Sequence, residues 1–142
     1  MKLRYDLHLH SCLSPCGDMD MTPNNMVGMA KLLGYDIIAL TDHNTCRNTP
    51  AAVQAGERQG LVVVPGMELC TREEAHIVCL FPTAEAALAF GEWVEAHSPN
   101  IPNRPDIFGE QLILDADDQP IGTQENLLIA AADVGVYQVP EL

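Results

Sequence analysis

Two histidines stand two residues apart in the stretch RYDLHLHS, residues 4–11. The alternation there predicts a strand, and side chains at i and i+2 of a strand point to the same side. His8 and His10 therefore project together, while Leu7 and Leu9 pack into the opposite layer. Further candidates follow: His43 and Asp42 in TDHN, Glu68 in GMEL, and His76 opening AHIVCLF. Imidazoles mixed with carboxylates suit Zn, Mn or Fe(II) better than Ca or Mg. Asp18, in the loop SPCGDMD, can return an acidic ligand to the same place, with Asp20 as the alternative.

Other polar groups invite different readings. Asp42 is one residue from His43 on an extended segment and so points the other way. Its expected work is to hold an imidazole in the required tautomer, a usual task for a carboxylate behind a metal ligand. Capping the following turn is the alternative. Arg47, directly after TDHNTC, is the best-placed cation to meet an anionic ligand, with a solvated surface arginine the more expected reading. His97 ends a helix, where an imidazole can bond free carbonyls, and is read as structural. Cys12 and Cys16 in CLSPC suggest a zinc pair, but no second pair follows at finger spacing. Cys70 and Cys79 sit in apolar runs and read as small core residues.

The elements that must position these groups are legible in outline. After the first strand, Thr22 and Pro23 open a helix carrying Met26, Val27, Ala30 and Leu33 at helical spacing, and Gly34 ends it. YDIIALTD is a continuous apolar run, the pattern of a strand buried on both faces. NTPAAVQAGERQG repeats the Thr-Pro opening and the Gly stop. LVVVPGMEL and AHIVCLF predict two more strands, and TAEAALAFGEWVEAH an amphipathic helix with Leu88, Trp93 and Val94 inward. Strands alternating with helices imply parallel strands and crossovers, an α/β sheet or barrel. Its strands would bring His8, His10, His43 and Glu68 to one face through their C-terminal ends.

Beyond residue 98 the pattern changes. SPNIPNRPD, with three prolines in nine residues, is expected to be a loop. A hairpin insertion is expected near residues 110–124, and QENLLIAAADVGV predicts a helix. Pro140 in the final VPEL stands where a helix would start, which suggests a polypeptide that continues beyond residue 142.

Composition narrows the classes. The 142 residues, 47% of them hydrophobic, suit one domain with its own core. A formal charge of −13 argues against non-specific nucleic-acid binding through a basic face. No apolar run approaches the roughly 20 residues of a membrane span, and MKLRYDL lacks a secretory apolar region. The expectation is a cytoplasmic protein with reduced thiols, because five cysteines do not form a disulfide framework.

With DLHLHS, TDHN, PGMEL and AHIVCLF in this order, residues 3–82 resemble the PHP family, the polymerase and histidinol phosphatase domain. The resemblance implies the N-terminal portion of a distorted (β/α)7 barrel, a single domain over residues 1–142 that is truncated at its C-terminus. It implies a site with two or three divalent metal ions, Zn, Mn or Fe, and hydrolysis of phosphoesters. His8 and His10 match the first family motif, His43 the second, Glu68 a bridging glutamate and His76 the histidine after it. Asp18 matches the acidic residue after the first motif, although SPCGD is longer than the usual Ser-Asp-Gly. The later Pro-Ala-His and Asp-x-His motifs have no counterpart, since no histidine follows His97.

In such a site the cations lower the pKa of a bound water, so that hydroxide exists near neutral pH, and neutralise charge on the phosphoryl group. Small phosphorylated metabolites, nucleotides and oligonucleotide ends are the expected partners. Six candidate ligands would hold fewer ions, or hold them weakly, so little activity is expected of this chain alone. Two other readings stay open: an amidohydrolase-type barrel, which also begins with His-x-His, and a non-catalytic domain that keeps the fold. Apolar surface left by missing strands would favour self-association.

Overall fold

The computed structural model describes all 142 residues. β1 (Tyr5–Leu9), β2 (Ile37–Leu40), β3 (Val62–Cys70) and β4 (His76–Leu80) form one sheet in the order β1-β2-β3-β4. α1 (Pro23–Leu32) connects β1 to β2, and α2 (Thr49–Gln59) connects β2 to β3. Both pairings made through these crossovers are parallel.

The local chemistry explains the helices. The Thr22 side chain accepts from Asn25 N–H and Pro23 occupies the first turn, where its missing N–H costs nothing. α2 stops at Gly60, whose φ of +71° is a left-handed cap. Met26, Val27 and Ala30 of α1 pack with Ala52 and Ala55 of α2 against Ile38, Leu40 and Val63. A second cluster joins Met67 and Leu69 of β3 to Ala87 and Val94 of α3 (Ala84–Ala96). Of the side chains expected to point inward from α3, Val94 is fully buried, while Trp93 is exposed.

Four expectations need correction. β4 runs antiparallel to β3, with Cys70 opposite His76, because residues 71–75 make a turn too short for a crossover. Reversal brings the first residue of β4, not its last, beside the C-terminal end of β3. Second, residues 124–135 form no helix. Their backbone is engaged elsewhere: Leu128 and Ala130 carbonyls accept from the Asn44 side chain, and Ala132 N–H donates to Cys70 O. The segment is a strap over the end of β3, and its apolar residues Ala132 and Val134 join the α3 cluster.

Third, the proline-rich loop contains one helical turn, α4 (Pro105–Phe108), started by Pro105. Last, Pro140 lies inside a 3-10 helix, Val136–Glu141, rather than at the start of a new one. Between these segments, β5 (Leu112–Leu114) and β6 (Pro120–Thr123) pair as a separate antiparallel ribbon. Asp118 in its turn accepts from Thr22 Oγ1 and Asn24, fastening the ribbon to the start of α1.

Candidate metal centre

The C-terminal ends of β1 to β3 and the N-terminal end of β4 bring four imidazoles and one carboxylate together. The registration of β2 on β3 continues past Leu40: Glu68 N–H donates to Asp42 O and Asn44 N–H donates to Glu68 O, both at 3.0 Å. That bridge sets His43 beside Glu68. From β1, His8 Nε2 lies 2.7 Å and His10 Nε2 2.9 Å from Glu68 Oε2. From β4, His76 Nδ1 lies 2.9 Å from the other oxygen, Oε1. His43 Nδ1 is 3.7 Å from Oε2. One carboxylate therefore stands between imidazoles of three other strands or strand ends, itself 8% exposed.

Proton accounting shows what these groups can do. Ser14 Oγ donates to Asp42 Oδ1 at 2.7 Å and accepts from the His43 backbone N–H at 3.1 Å. Its third neighbour, His10 Nδ1 at 3.2 Å, must then be a donor, because the hydroxyl has only one proton. With the proton on Nδ1, His10 presents a bare Nε2 to a carboxylate oxygen. Burial lowers the basicity of His10 despite the opposing charge of Glu68. Burial also lowers that of His43, helped by His10. Burial raises the Glu68 carboxyl, but the His8 hydrogen bond and the surrounding imidazoles outweigh it and hold the group below its usual range.

The bare Nε2 of a neutral His10, 2.9 Å from Glu68 Oε2, repels that oxygen unless a cation lies between them. His43 Nδ1 is buried with no hydrogen-bond partner. These donors fit a divalent cation. His8, His10 and Glu68 could hold one ion, and His43, Glu68 and His76 another, with ligand atoms in each set within 4.8 Å of one another.

The other sequence candidates lie differently. Asp18 is exposed and turned onto its own loop, where Oδ1 accepts from Asp20 N–H at 2.8 Å; neither acid joins the cluster. The longer SPCGD loop carries the acid past the site, and the exposed thiol of Cys16 instead falls within reach of His10 and His43. Asp42 does not touch an imidazole. It is buried and accepts from Ser11 N–H, Ser11 Oγ and Ser14 Oγ, each at 2.7 Å. Burial pushes its carboxyl up against the pull of those donors. Arg47 turns away to Glu95 of α3, with Nη2 2.7 Å from Oε2. His97 bonds the Trp93 carbonyl at the end of α3, as expected of a structural residue.

Ser14 and Asn44 were not legible as site residues. Asn44 has a positive φ of 53° and bonds Cys70 N–H through Oδ1 while its amide reaches the strap. An asparagine closing the extended segment that follows β2 is the residue type that tolerates this conformation, and TDHN contained that signal.

Known proteins share this arrangement in part. The 5′-3′ exoribonuclease of Haemophilus influenzae is 35% identical over 83 residues, which are 56% of this chain and 29% of that protein. A crystal structure of a protein assigned as a metal-dependent phosphoesterase, from Bifidobacterium adolescentis, superposes with a TM-score of 0.51 at 25% identity. That match covers 69% of this chain and 35% of the other. An amidohydrolase from Chromobacterium violaceum, solved with bound sulfate and no metal, gives a TM-score of 0.53 at 30% identity. It covers 66% and 34% of the two chains. The chain spans half or less of the length of the curated relatives it matches. The sheet is thus the curled half-barrel of an α/β fold shared with these neighbours. A model of the PHP domain matches residues 6–132, and the chain belongs to that family.

Proposed function

We propose that this chain carries the metal-binding part of a PHP-type phosphoesterase acting on a phosphomonoester, a nucleotide or an oligonucleotide end. The supporting observation is Glu68, whose two oxygens meet imidazoles from opposite sides of the sheet, Oε2 from β1 and Oε1 from β4. A carboxylate so placed can bridge two cations. Bound divalent cations, Zn, Mn or Fe(II), supply Lewis-acid activation of water and neutralise phosphoryl charge.

The residues of the chain do the positioning. Ser14 fixes the His10 ring, and the backbone of Asp42 and Asn44 fixes Glu68. With a net charge of −13 and Arg47 paired to Glu95, side-chain cations contribute little attraction for phosphate. The bound ions must supply it. Activity of the 142 residues alone is expected to be weak, with the remaining ligands of the family pattern absent from this stretch.

The test is metal content by elemental analysis after loading and dialysis, with His8→Ala/His10→Ala beside the wild type. The double variant is expected to lose metal uptake, and unchanged content would refute the assignment. The amidohydrolase neighbour favours a second reading, hydrolysis of an amide or lactone. A panel of nitrophenyl phosphates against amides and lactones, assayed with Mn and Zn, separates the two; turnover of neither favours a non-catalytic metal-binding domain.

A further inference from the structure

We propose that Cys16 is a thiolate ligand in this centre, sharing a cation with His10 and His43. The proposal rests on the metal-binding reading above and adds a sulfur donor that biases the centre toward Zn or Fe(II) and away from Mn.

The three side chains offer ligand atoms that all lie within 4.8 Å of one another. His10 has one nitrogen to offer, Nε2, because Nδ1 is bonded to Ser14, so a cation shared with Cys16 and His43 takes His10 in place of the set with His8 and Glu68. His43 is nine-tenths buried and its Nδ1 has no partner, whereas buried polar atoms nearly always have one. Cys16 differs from the other four cysteines, which are buried or half-buried and belong to no such set.

The loop that carries the thiol is held in place. Ser14 N–H bonds Ser11 O at 3.1 Å and Gly17 N–H bonds Ser14 O at 2.8 Å, so the chain turns tightly over the end of β1. A Cβ on Gly17 would stand 2.0 Å from Ser11 O, and only glycine allows that approach. The turn leaves Cys16 toward the histidines and carries Asp18 beyond them. The loop therefore contributes sulfur where an acidic oxygen was expected.

Sulfur changes which ions bind. Thiolate is a soft ligand that suits Zn and iron, whereas Mn prefers carboxylate and water. On binding, the S–H proton leaves to solvent and the sulfur lone pair forms the bond to the cation, with no change of oxidation state.

Cobalt(II) reports this directly, since a thiolate bound to it gives an intense near-ultraviolet charge-transfer band that imidazole and carboxylate do not. The 142-residue chain titrated with Co(II) is expected to show that band, and Cys16→Ser to lose it while retaining some bound cobalt. Zn affinity should fall at least about tenfold in Cys16→Ser, since even partners behind a ligand contribute about 10- to 100-fold. In the wild type, Zn should slow labelling of the exposed thiol by a disulfide reagent, and a chelator should restore it. Bound cobalt with no band, or a band that survives Cys16→Ser, overturns the thiolate ligand and leaves the metal reading standing. Absence of any bound Co(II) or Zn in the wild type overturns both.

Discussion

The Asp42 carboxylate reaches the His10 imidazole through one hydroxyl: Ser14 Oγ is 2.7 Å from Asp42 Oδ1 and 3.2 Å from His10 Nδ1. The order of donors along this chain fixes the proton on Nδ1 and leaves Nε2 bare, so a residue that touches no ligand atom decides which atom can be one. Ser14→Ala is expected to release the His10 ring and lower metal affinity by about 10- to 100-fold. Nitrogen chemical shifts of the His10 ring distinguish this from general loosening. A retained Nδ1–H tautomer in the variant would count against the relay.

Asp42 reads from the sequence as an imidazole's direct partner, whereas in the structure Ser14 stands between its carboxylate and His10. The reason lies in the strand. Residues adjacent on an extended segment face opposite ways, so Asp42 looks under the sheet end at Ser11 and Ser14 while His43 looks over it. Motif spacing alone conveys the direction but not the serine that fills the gap. In the same way, the family resemblance, not strand position, is what points to His76, since a parallel β4 would take a residue at its start to the far end. The short turn over residues 71–75 reverses the strand and brings it back. Asp18 has no such local rule behind it: the loop's path depends on the close approach of Gly17 to Ser11, and the acid turns onto its own loop.

That close approach is testable by itself. Gly17→Ala places a methyl group 2.0 Å from Ser11 O, so the turn must open. Forced overpacking costs about 1–3 kcal/mol, and urea denaturation should register a loss in that range. Ser11 and Ser14 carry the contacts to Asp42, so metal affinity should fall together with stability. A variant as stable as the wild type would show that the loop has another conformation available.

Asn44 ties three segments with one side chain. Its Oδ1 accepts from Cys70 N–H at 2.8 Å, and its Nδ2 donates to the carbonyls of Leu128 and Ala130 at 2.7 and 2.9 Å. Asn44→Asp keeps the acceptor and the positive-φ tolerance but removes both donors. A buried group left without its partner costs about 1–3 kcal/mol. The expected result is a lower melting temperature together with faster amide exchange in residues 126–132, and not at β1. Unchanged exchange there would mean that the strap is held by its backbone contacts alone.

Two buried thiols, Cys12 and Cys46, are expected to make stability fall in alkali. Burial, reinforced by the charge of Asp42, pushes the Cys46 thiol up to about 12 from an ordinary 9.0 and the Cys12 thiol up to about 11. Above pH 9 the unfolded chain therefore releases these protons while the folded chain still holds them. The folded state binds more protons, so stability falls as pH rises. The loss begins near the unfolded value of 9.0 and is complete only above the folded values of about 11 and 12. Each thiol contributes a slope approaching ~1.4 kcal/mol per pH unit within its window. Cys46→Ala removes one contribution. It lowers stability at neutral pH through the lost packing in the α3 cluster, but its decline between pH 9 and 12 should be shallower than that of the wild type. Denaturation curves at stepped pH measure both effects, and parallel declines for the two proteins would place the alkaline sensitivity elsewhere in the molecule.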